Sequence, residues 1–324
     1  MLLEFRVKNF RSIRDEQVLS MVASRDTSLE DTHVARPDGI AQRALKSAAI
    51  YGPNAGGKSN LLQALEFMRT RVAGKQFFSV LFPDDEEESC PFFRLDQASK
   101  NTPGEFEVIC TDKGVRYQYG FALLRTRVVE EWLLVYRADK PQEWFHRTAD
   151  DKTGEDVYKF SSYFKGQKLT WQKSTRKEAL FLTVAAGLNS EQLQPIYNWF
   201  SSCCTWVSQP VFYGKLNFSA LKDEESKRDI MAFISSADLG ITDVVLRPEI
   251  EEAPALQQGK KNGTNPREIL RPMFVHRTDE GANEEFDLQE ESKGTQRLFL
   301  LAFFILRILK EGGVMIIDEL ESSL

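Results

Sequence analysis

The stretch that decides the fold is SAAIYGPNAGGKSNLLQALEFMR, residues 47–69. A short apolar run, Ala48 to Tyr51, breaks into Gly52-Pro53-Asn54-Ala55-Gly56-Gly57-Lys58-Ser59, and Leu61, Leu62, Leu65 and Met68 then fall at helical spacing. Strand, glycine elbow and helix in that order, with the spacing G-x-x-x-x-G-K-S, predict a loop that cradles phosphate. Glycines let the backbone turn its N–H groups inward at a helix N-terminus, making an anion-binding concavity. Lys58 would reach the outer phosphates as a point charge, and Ser59 would offer its hydroxyl to Mg2+. Asn54, Ala55, Gly56, Gly57 and Asn60 complete the expected nucleotide contacts.

The far end of the chain supplies a second half. GGVMIIDELESSL, residues 312–324, contains a short apolar strand, Val314 to Ile317, ending in Asp318 and Glu319. Taken alone, this is equally a core strand followed by a solvated acidic turn. Joined to a phosphate loop, it has the form of a Walker B element, in which Asp318 holds Mg2+ through water and Glu319 polarises the attacking water as the catalytic base. Just before it, Ser292-Lys293-Gly294-Thr295 precedes a helix whose apolar face runs through Leu298, Leu301, Ala302, Ile305 and Ile308. A serine-glycine helix start is a second anion site or an ordinary cap. Two such sites serve one phosphate chain only if they lie on opposite faces of a sandwiched nucleotide.

Composition bounds the remainder. A chain of 324 residues is long enough for a large domain with an elaborated lobe, or for two domains. Apolar content of 42% and charged content of 28% describe a globular chain. The longest apolar run, Leu298 to Leu306, is too short to span a bilayer, and MLLEFRVKNF lacks the apolar core of a signal peptide, so a cytoplasmic location without membrane contact is expected. The cysteines Cys90, Cys110, Cys203 and Cys204 fit no metal spacing and read as reduced thiols. A net charge of −6 opposes a dominant basic surface.

Along the chain, LLEFRVKNF and EQVLSM read as strands and residues 25–46 as a loop. Five consecutive acids, Asp84 to Glu88, read as a solvated loop. CPFFRL, EFEVICT, VRYQYGFALL and VVEEWLLVYR then read as strands of an antiparallel sheet, with a hairpin turn at Lys113-Gly114. From Glu178 the pattern is helical, through EALFLTVAAGL and SEQLQPIYNWF, the second capped by Ser190. WVSQPVFY is strand-like, residues 221–236 are helical, and residues 251–268 read as a mobile polar loop. The expected organisation is an N-terminal lobe over residues 1–175, a helical lobe over 176–284, and a return to the core over 285–324.

The motif order resembles the ABC-type ATPase heads that include the SMC and RecF proteins. It is more similar still to the AAA15 branch of AAA-annotated ATPases, related to the OLD-type proteins. The residues that carry the resemblance are FRVKNFRSI, YGPNAGGKSNLL, EFEVICTDKGVRYQYGF, ALFLTVAAGLNSEQLQPIYNWF, ESKGTQRL and MIIDELESSL, spread from residue 5 to 324. It implies an α/β fold: a P-loop ATPase head of ABC/SMC type with a mixed sheet, an antiparallel β-subdomain and a helical lobe. It also implies ATP and Mg2+ as cofactors and a homodimer closed by ATP. Lys58, Ser59, Asp318 and Glu319 of one subunit would face Ser292 and Gly294 of the other. Arg11, in Asn9-Phe10-Arg11-Ser12, would be a phosphate or base contact, or a plain surface arginine.

Three departures from the family pattern matter. Gly187 stands where a glutamine that senses the γ-phosphate is expected, leaving Gln192 or water to complete the metal shell. Lys293 and Thr295 replace residues of the transporter-type signature, favouring the AAA15 branch. The chain stops at Leu324, inside the loop after Walker B, and none of His33, His146 or His276 is in the right order to replace the switch histidine expected beyond it; the sequence reads as a truncated head. The leading expectation is an ATP-hydrolysing switch in DNA repair or anti-phage defence, with a separately encoded nuclease or toxin as effector. The alternatives are a nucleotide-gated scaffold with little turnover and a RecF-like DNA-binding ATPase. The last would use the basic clusters Lys173–Lys177 and Gly259–Arg267.

Overall fold

The computed structural model describes residues 1–73, 92–137, 140–150, 152–207, 218–235, 240–251 and 267–318. They divide into two compact units, Met1–Trp206 and Val207–Leu324. The division falls later than the 175/176 lobe boundary drawn from sequence.

In the first unit, alternation of apolar and polar residues in LLEFRVK gives β1 (Leu2–Lys8), which turns back into β2 (Gln17–Ser20). The polar stretch expected as a loop carries a short helix α1 (Glu30–His33) and a two-residue ladder between β3 (Val34–Ala35) and β4 (Ala44–Leu45). Helix α2 (Lys58–Ala73) follows the phosphate loop. After it come β5 (Gly104–Asp112), β6 (Val115–Leu124), β7 (Arg127–Arg137), β8 (Lys140–Ala149) and β9 (Asp156–Phe160). The sheet order is β2-β1-β5-β6-β7-β8-β9, with every neighbouring pair antiparallel. Lys113 (φ 45°) and Gly114 (φ 76°) are both left-handed, which is what a two-residue hairpin turn between β5 and β6 requires.

One face of this sheet is the core. Phe5, Val7, Phe106, Val108, Tyr119, Phe121, Leu133 and Phe145 are buried on it. Phe67 of α2 packs against Phe106 with ring centroids 5.0 Å apart. The opposite face runs Arg6, Glu107, Gly120, Trp132, His146 and Lys159 across successive strands. Glycine is required at position 120: the Trp132 indole lies over it, 2.2 Å from where a Cβ would stand, and donates its N–H to Glu107 at 2.9 Å.

The strands differ from the sequence pattern at three places. Phe92–Leu95 is not a strand; the Phe93 N–H donates to the Asn9 side chain at 3.1 Å instead of to a ladder. β8 and β9 were not foreseen, because Pro141 and the polar content of KPQEWFHRTA mask the period of two. Ala48–Tyr51, expected as a strand, pairs with no strand among the described residues, and four residues form a strand only where a neighbour supplies ladder bonds.

Beyond the sheet lie α3 (Lys168–Ser174), α4 (Phe181–Gly187) and α5 (Gln194–Asn198), then a wide turn and β10 (Cys204–Val207). Ser190 does not cap the second predicted helix. Its N–H closes the end of α4 on the Ala185 carbonyl at 2.9 Å, with Asn189 left-handed (φ 62°), and α5 begins only at Gln194 ahead of Pro195.

Two charged residues sit on the apolar face. Glu131 and Arg147 are both 0% exposed, with Arg147 Nη1 3.5 Å from Glu131 Oε2. Glu131 accepts from the Phe181 and Leu182 N–H groups, at 2.7 and 2.9 Å, and from the Tyr119 hydroxyl at 3.0 Å. It thereby caps α4 from the sheet. Arg147 donates to Asp156 (2.7 Å) and to the carbonyls of Ala179 (2.6 Å), Arg176 (3.1 Å) and Lys177 (3.1 Å). Burial pushes the Glu131 carboxyl up, and Arg147 with the two helix N–H groups pulls against that shift.

The second unit contains α6 (Glu224–Ser235), the antiparallel sheet β11-β12-β13 (Ile241–Glu251, Arg267–Arg277, Asn283–Asp287), α7 (Lys293–Glu311) and β14 (Val314–Ile317). The three-stranded sheet was not foreseen. Its core joins Val244, Phe274, Phe299, Phe303, Ile230 and Ile234, with Phe274 and Phe299 edge-to-face at 4.9 Å. Most of the polar loop expected over 251–268 lies outside the described residues.

Arg147→Ala is expected to destabilise the chain by about 3–5 kcal/mol, since it leaves Glu131 buried without its counter-charge. Replacing Glu131 as well is not expected to restore stability, because the Phe181 and Leu182 N–H groups then lose their acceptor. Chemical denaturation of the single and double variants checks both statements.

Candidate functional site

The candidate site of the first unit is the loop before α2. Gly56 N–H donates to the Pro53 carbonyl at 3.1 Å, closing a turn, and the first helical bond runs from Leu61 N–H to the Gly57 carbonyl at 3.0 Å. Ala55 (φ 62°) and Gly57 (φ 90°) are left-handed on either side of Gly56. Alternation of hand along a backbone turns successive N–H groups to one side, which is the geometry of an anion nest. A Cβ at Gly56 would stand 2.9 Å from the Pro53 carbonyl oxygen, so this turn closes only around glycine. The Lys58 ammonium folds back over the loop, donating to the carbonyls of Gly52 (2.8 Å) and Pro53 (3.1 Å). The residues present therefore fit a polyphosphate: a glycine turn of nest geometry, with a lysine cation folded over its first residues.

A second element reaches this loop. Residues 9–14 form a tight tip after β1, closed by Phe10 N–H to Ile13 O (2.8 Å) and Ile13 N–H to Phe10 O (2.7 Å). Asn60, on the first turn of α2, donates its amide to Ser12 Oγ at 2.6 Å. The structure thus brings the Asn9–Ser12 tip to the phosphate loop, and Arg11 with it; the Arg11 guanidinium lies 5.8 Å from the Phe10 ring centroid.

At the other end of α2, the Val72 and Ala73 carbonyls accept from the Thr183 hydroxyl (2.8 Å) and the Tyr197 hydroxyl (3.2 Å). Both donors come from the segment that contains Gly187. A Cβ at Gly187 would meet nothing within 4 Å. Gln192, the suggested replacement for the sensing glutamine, accepts from Lys165 N–H at 2.6 Å and donates to the Tyr163 carbonyl at 3.3 Å. Its amide is engaged at both ends within its own unit.

The second unit, taken by itself, carries Ser292, Gly294 and Asp318 of the residues expected from sequence. Ser292 is the N-cap of α7: its Oγ accepts from Thr295 N–H at 3.1 Å, and its carbonyl takes the first helical bond, from Gln296 N–H at 2.9 Å. Ser292, Lys293 and Gly294 are exposed, and a Cβ at Gly294 would meet only Ser292 Oγ at 3.7 Å, an ordinary contact. β14 ends at Ile317, and Asp318 follows at its carboxyl end; Glu319 lies outside the described residues.

Sequence reading overlooked what holds the Ser292 turn. Gln296 is buried and donates its amide to the carbonyls of Glu291 (2.8 Å) and Gln289 (3.3 Å). His276 of β12 contacts the Glu291 carboxylate at 2.6 Å and stacks edge-on against Phe286. Gln296, placed four residues after Ser292 at the start of a long apolar helix, was the available signal. The His276 contact had none, since it joins a strand and a loop.

Among the described residues no group of three or more His, Cys, Asp or Glu side chains is placed to hold a metal ion. That does not conflict with Mg2+ on a nucleotide, which is bound mainly through phosphate and water with one or two protein oxygens. No described helix is long and apolar enough to cross a membrane.

Residues 47–324 match the family described as "AAA domain, putative AbiEii toxin, Type IV TA system". The chain belongs to this AAA-domain family. The AAA-type ATPase assignment reached from the motif order is thereby borne out, and nucleotide binding through the phosphate loop is what this family implies. No curated protein matches the chain. Among solved structures it is similar to the SMC head domain from Thermotoga maritima, at 15% identity over 100% of this chain and 79% of that one, with a TM-score of 0.37. A TM-score of that size adds nothing to the family match.

Ser292→Ala removes the observed cap bond and is expected to cost about 1 kcal/mol of stability in the second unit. Thermal unfolding of the variant beside the parent measures it.

Proposed function

We propose that the chain is an ATP-binding and ATP-hydrolysing head that switches by ATP-dependent dimerisation. The observation that carries this reading is the left-handed pair Ala55 and Gly57 around Gly56, with the Lys58 ammonium over the same loop. Lys58 and the loop N–H groups would hold the phosphates, Ser59 and Asp318 the Mg2+, and Glu319 would orient the attacking water. Mg2+ supplies charge neutralisation on the transferring phosphoryl group when bound. Arg11, on the tip beside Ser12, is placed in this reading as a phosphate contact.

The assignment of Ser292 and Gly294 to the partner's nucleotide draws support from Gly294 itself. Among the described residues of the second unit, a Cβ there would meet only Ser292 Oγ, at the ordinary contact distance of 3.7 Å, so packing within the unit does not call for glycine, and this reading gives the open side to an approach from outside it. A homodimer sandwiching two ATP molecules provides such an approach. Work in DNA repair or anti-phage defence, with a separately encoded nuclease or toxin, is the setting this reading favours.

A nucleotide-gated scaffold with little turnover is the second reading, and the Gly187 region favours it. Gly187 offers no side chain, and Gln192 is committed to Tyr163 and Lys165. The RecF-like reading keeps less of its basic cluster: the Lys177 ammonium donates to the Gly154 carbonyl at 2.7 Å.

Lys58→Ala is expected to abolish ATP binding while leaving the fold intact. Isothermal calorimetry with a folded variant decides, and unchanged affinity would sink the reading. In a chain that continues past Leu324, Glu319→Gln should retain ATP and Mg2+ yet hydrolyse at least about a hundredfold more slowly, the scale of a lost general base. Steady-state phosphate release measures this, and an unaltered rate would remove Glu319 from the mechanism.

A further inference from the structure

We propose that Ser12 and Asn60 form a latch that registers the phosphate loop against the sheet, which makes both of them positioning residues for the nucleotide. The inference rests on the ATP-binding reading of Gly52–Ser59. It assigns Asn60 a different task from the direct nucleotide contact expected from sequence.

The tip is a fixed point. Asn9 is 2% exposed, with its amide donating to the carbonyls of Ser99 (2.8 Å) and Thr102 (2.8 Å) while its Oδ1 accepts from Phe93 N–H at 3.1 Å. The reciprocal Phe10–Ile13 backbone bonds close the turn above it. Arg11 keeps a left-handed φ of 50°, unfavourable for a long side chain, because the residues on both sides are fixed.

Helix α2 meets this tip twice along one face. Phe10 packs on Phe67 with ring centroids 5.5 Å apart, and Ser12 accepts from Asn60 at 2.6 Å. Residues 60 and 67 are seven apart, about two helical turns, so they share a face. The deep contact is apolar and fixes where the middle of the helix lies. The shallow contact is polar and sits on the first turn, the turn that carries Lys58 and Ser59. Asparagine near a helix start commonly bonds to its own backbone. Here the amide reaches across to another element, so it does work between elements that a local cap would not do. Gly57 lies against the same hydroxyl, with Ser12 Oγ 3.5 Å from where its Cβ would be.

Loss of the latch therefore frees the first turn of α2 and the loop it opens, and leaves the tip and the helix middle in place. Ser12→Ala and Asn60→Ala should each weaken ATP binding by about three- to tenfold, the range of one net hydrogen bond. The double variant should be no weaker than either single, and Ser12→Thr, which retains the hydroxyl, should bind like the parent. Hydrogen exchange of the unliganded chain should show faster exchange of the Leu61 amide, the first one bonded within α2, in Ser12→Ala, with the last turn unchanged. Effects that multiply in the double variant would mean that Asn60 touches the nucleotide independently, and would overturn the latch. Unchanged exchange at Leu61 would overturn it as well, whatever the affinities. If instead the parent and Lys58→Ala bind ATP equally, the nucleotide reading fails, while the exchange measurement still decides whether the latch exists.

Discussion

The buried pair of Glu131 and Arg147 is the constraint on which the first unit depends. Neither charge reaches water, and desolvating them costs several kcal/mol each unless every donor and acceptor is used. The structure uses nearly all of them, on Tyr119, Asp156, two helix N–H groups and three carbonyls. Because the Glu131 acceptors end at the first turn of α4, the pair converts the register of the sheet into the position of a helix. That helix, through Thr183, closes the far end of α2, and Tyr197 of α5 closes it beside Thr183. The phosphate-loop helix is thus held at its C-terminal end by two hydroxyls, one of which, that of Thr183, sits on the helix the salt bridge caps.

The other end of α2 is held differently. Its middle is packed by Phe67 against Phe10 and Phe106, an apolar contact insensitive to charge. Its first turn meets an exposed hydroxyl, where water competes. This gradient, from carbonyl bonds at one end to a solvent-facing amide at the other, leaves the N-terminal end of the helix the softest part. In the proposed reading it is also the end at which Lys58 exchanges its carbonyl partners for phosphate oxygens.

The phosphate loop, the N-terminal strand pair, the hairpin strands from Gly104 to Arg137, the Ser292 cap and the Val314–Ile317 strand were legible in the sequence because each is a local pattern. Spacing, alternation and capping residues are written within a dozen positions. The elements that escaped are non-local. β8 and β9 carry too many polar residues for their alternation to show, since one of their inward positions is Arg147. The three-stranded sheet of the second unit is split by a polar stretch and has only short runs of alternation. In the site, the tip and Asn60 were singled out separately, and nothing in one dimension says that residue 12 accepts from residue 60. Gly294 reads from sequence as a feature of an anion site, and the structure adds that among the described residues of its unit only Ser292 Oγ, at 3.7 Å, approaches the space.

Asn9 has a further consequence, for the approach to β5. Its side chain alone ties three points of the chain to the tip: the carbonyls of Ser99 and Thr102, and the N–H of Phe93. The same residue, at a left-handed φ of 54°, turns the chain out of β1. One buried amide therefore couples the lead-in to β5 with the turn that meets the start of α2, and losing it would loosen both together.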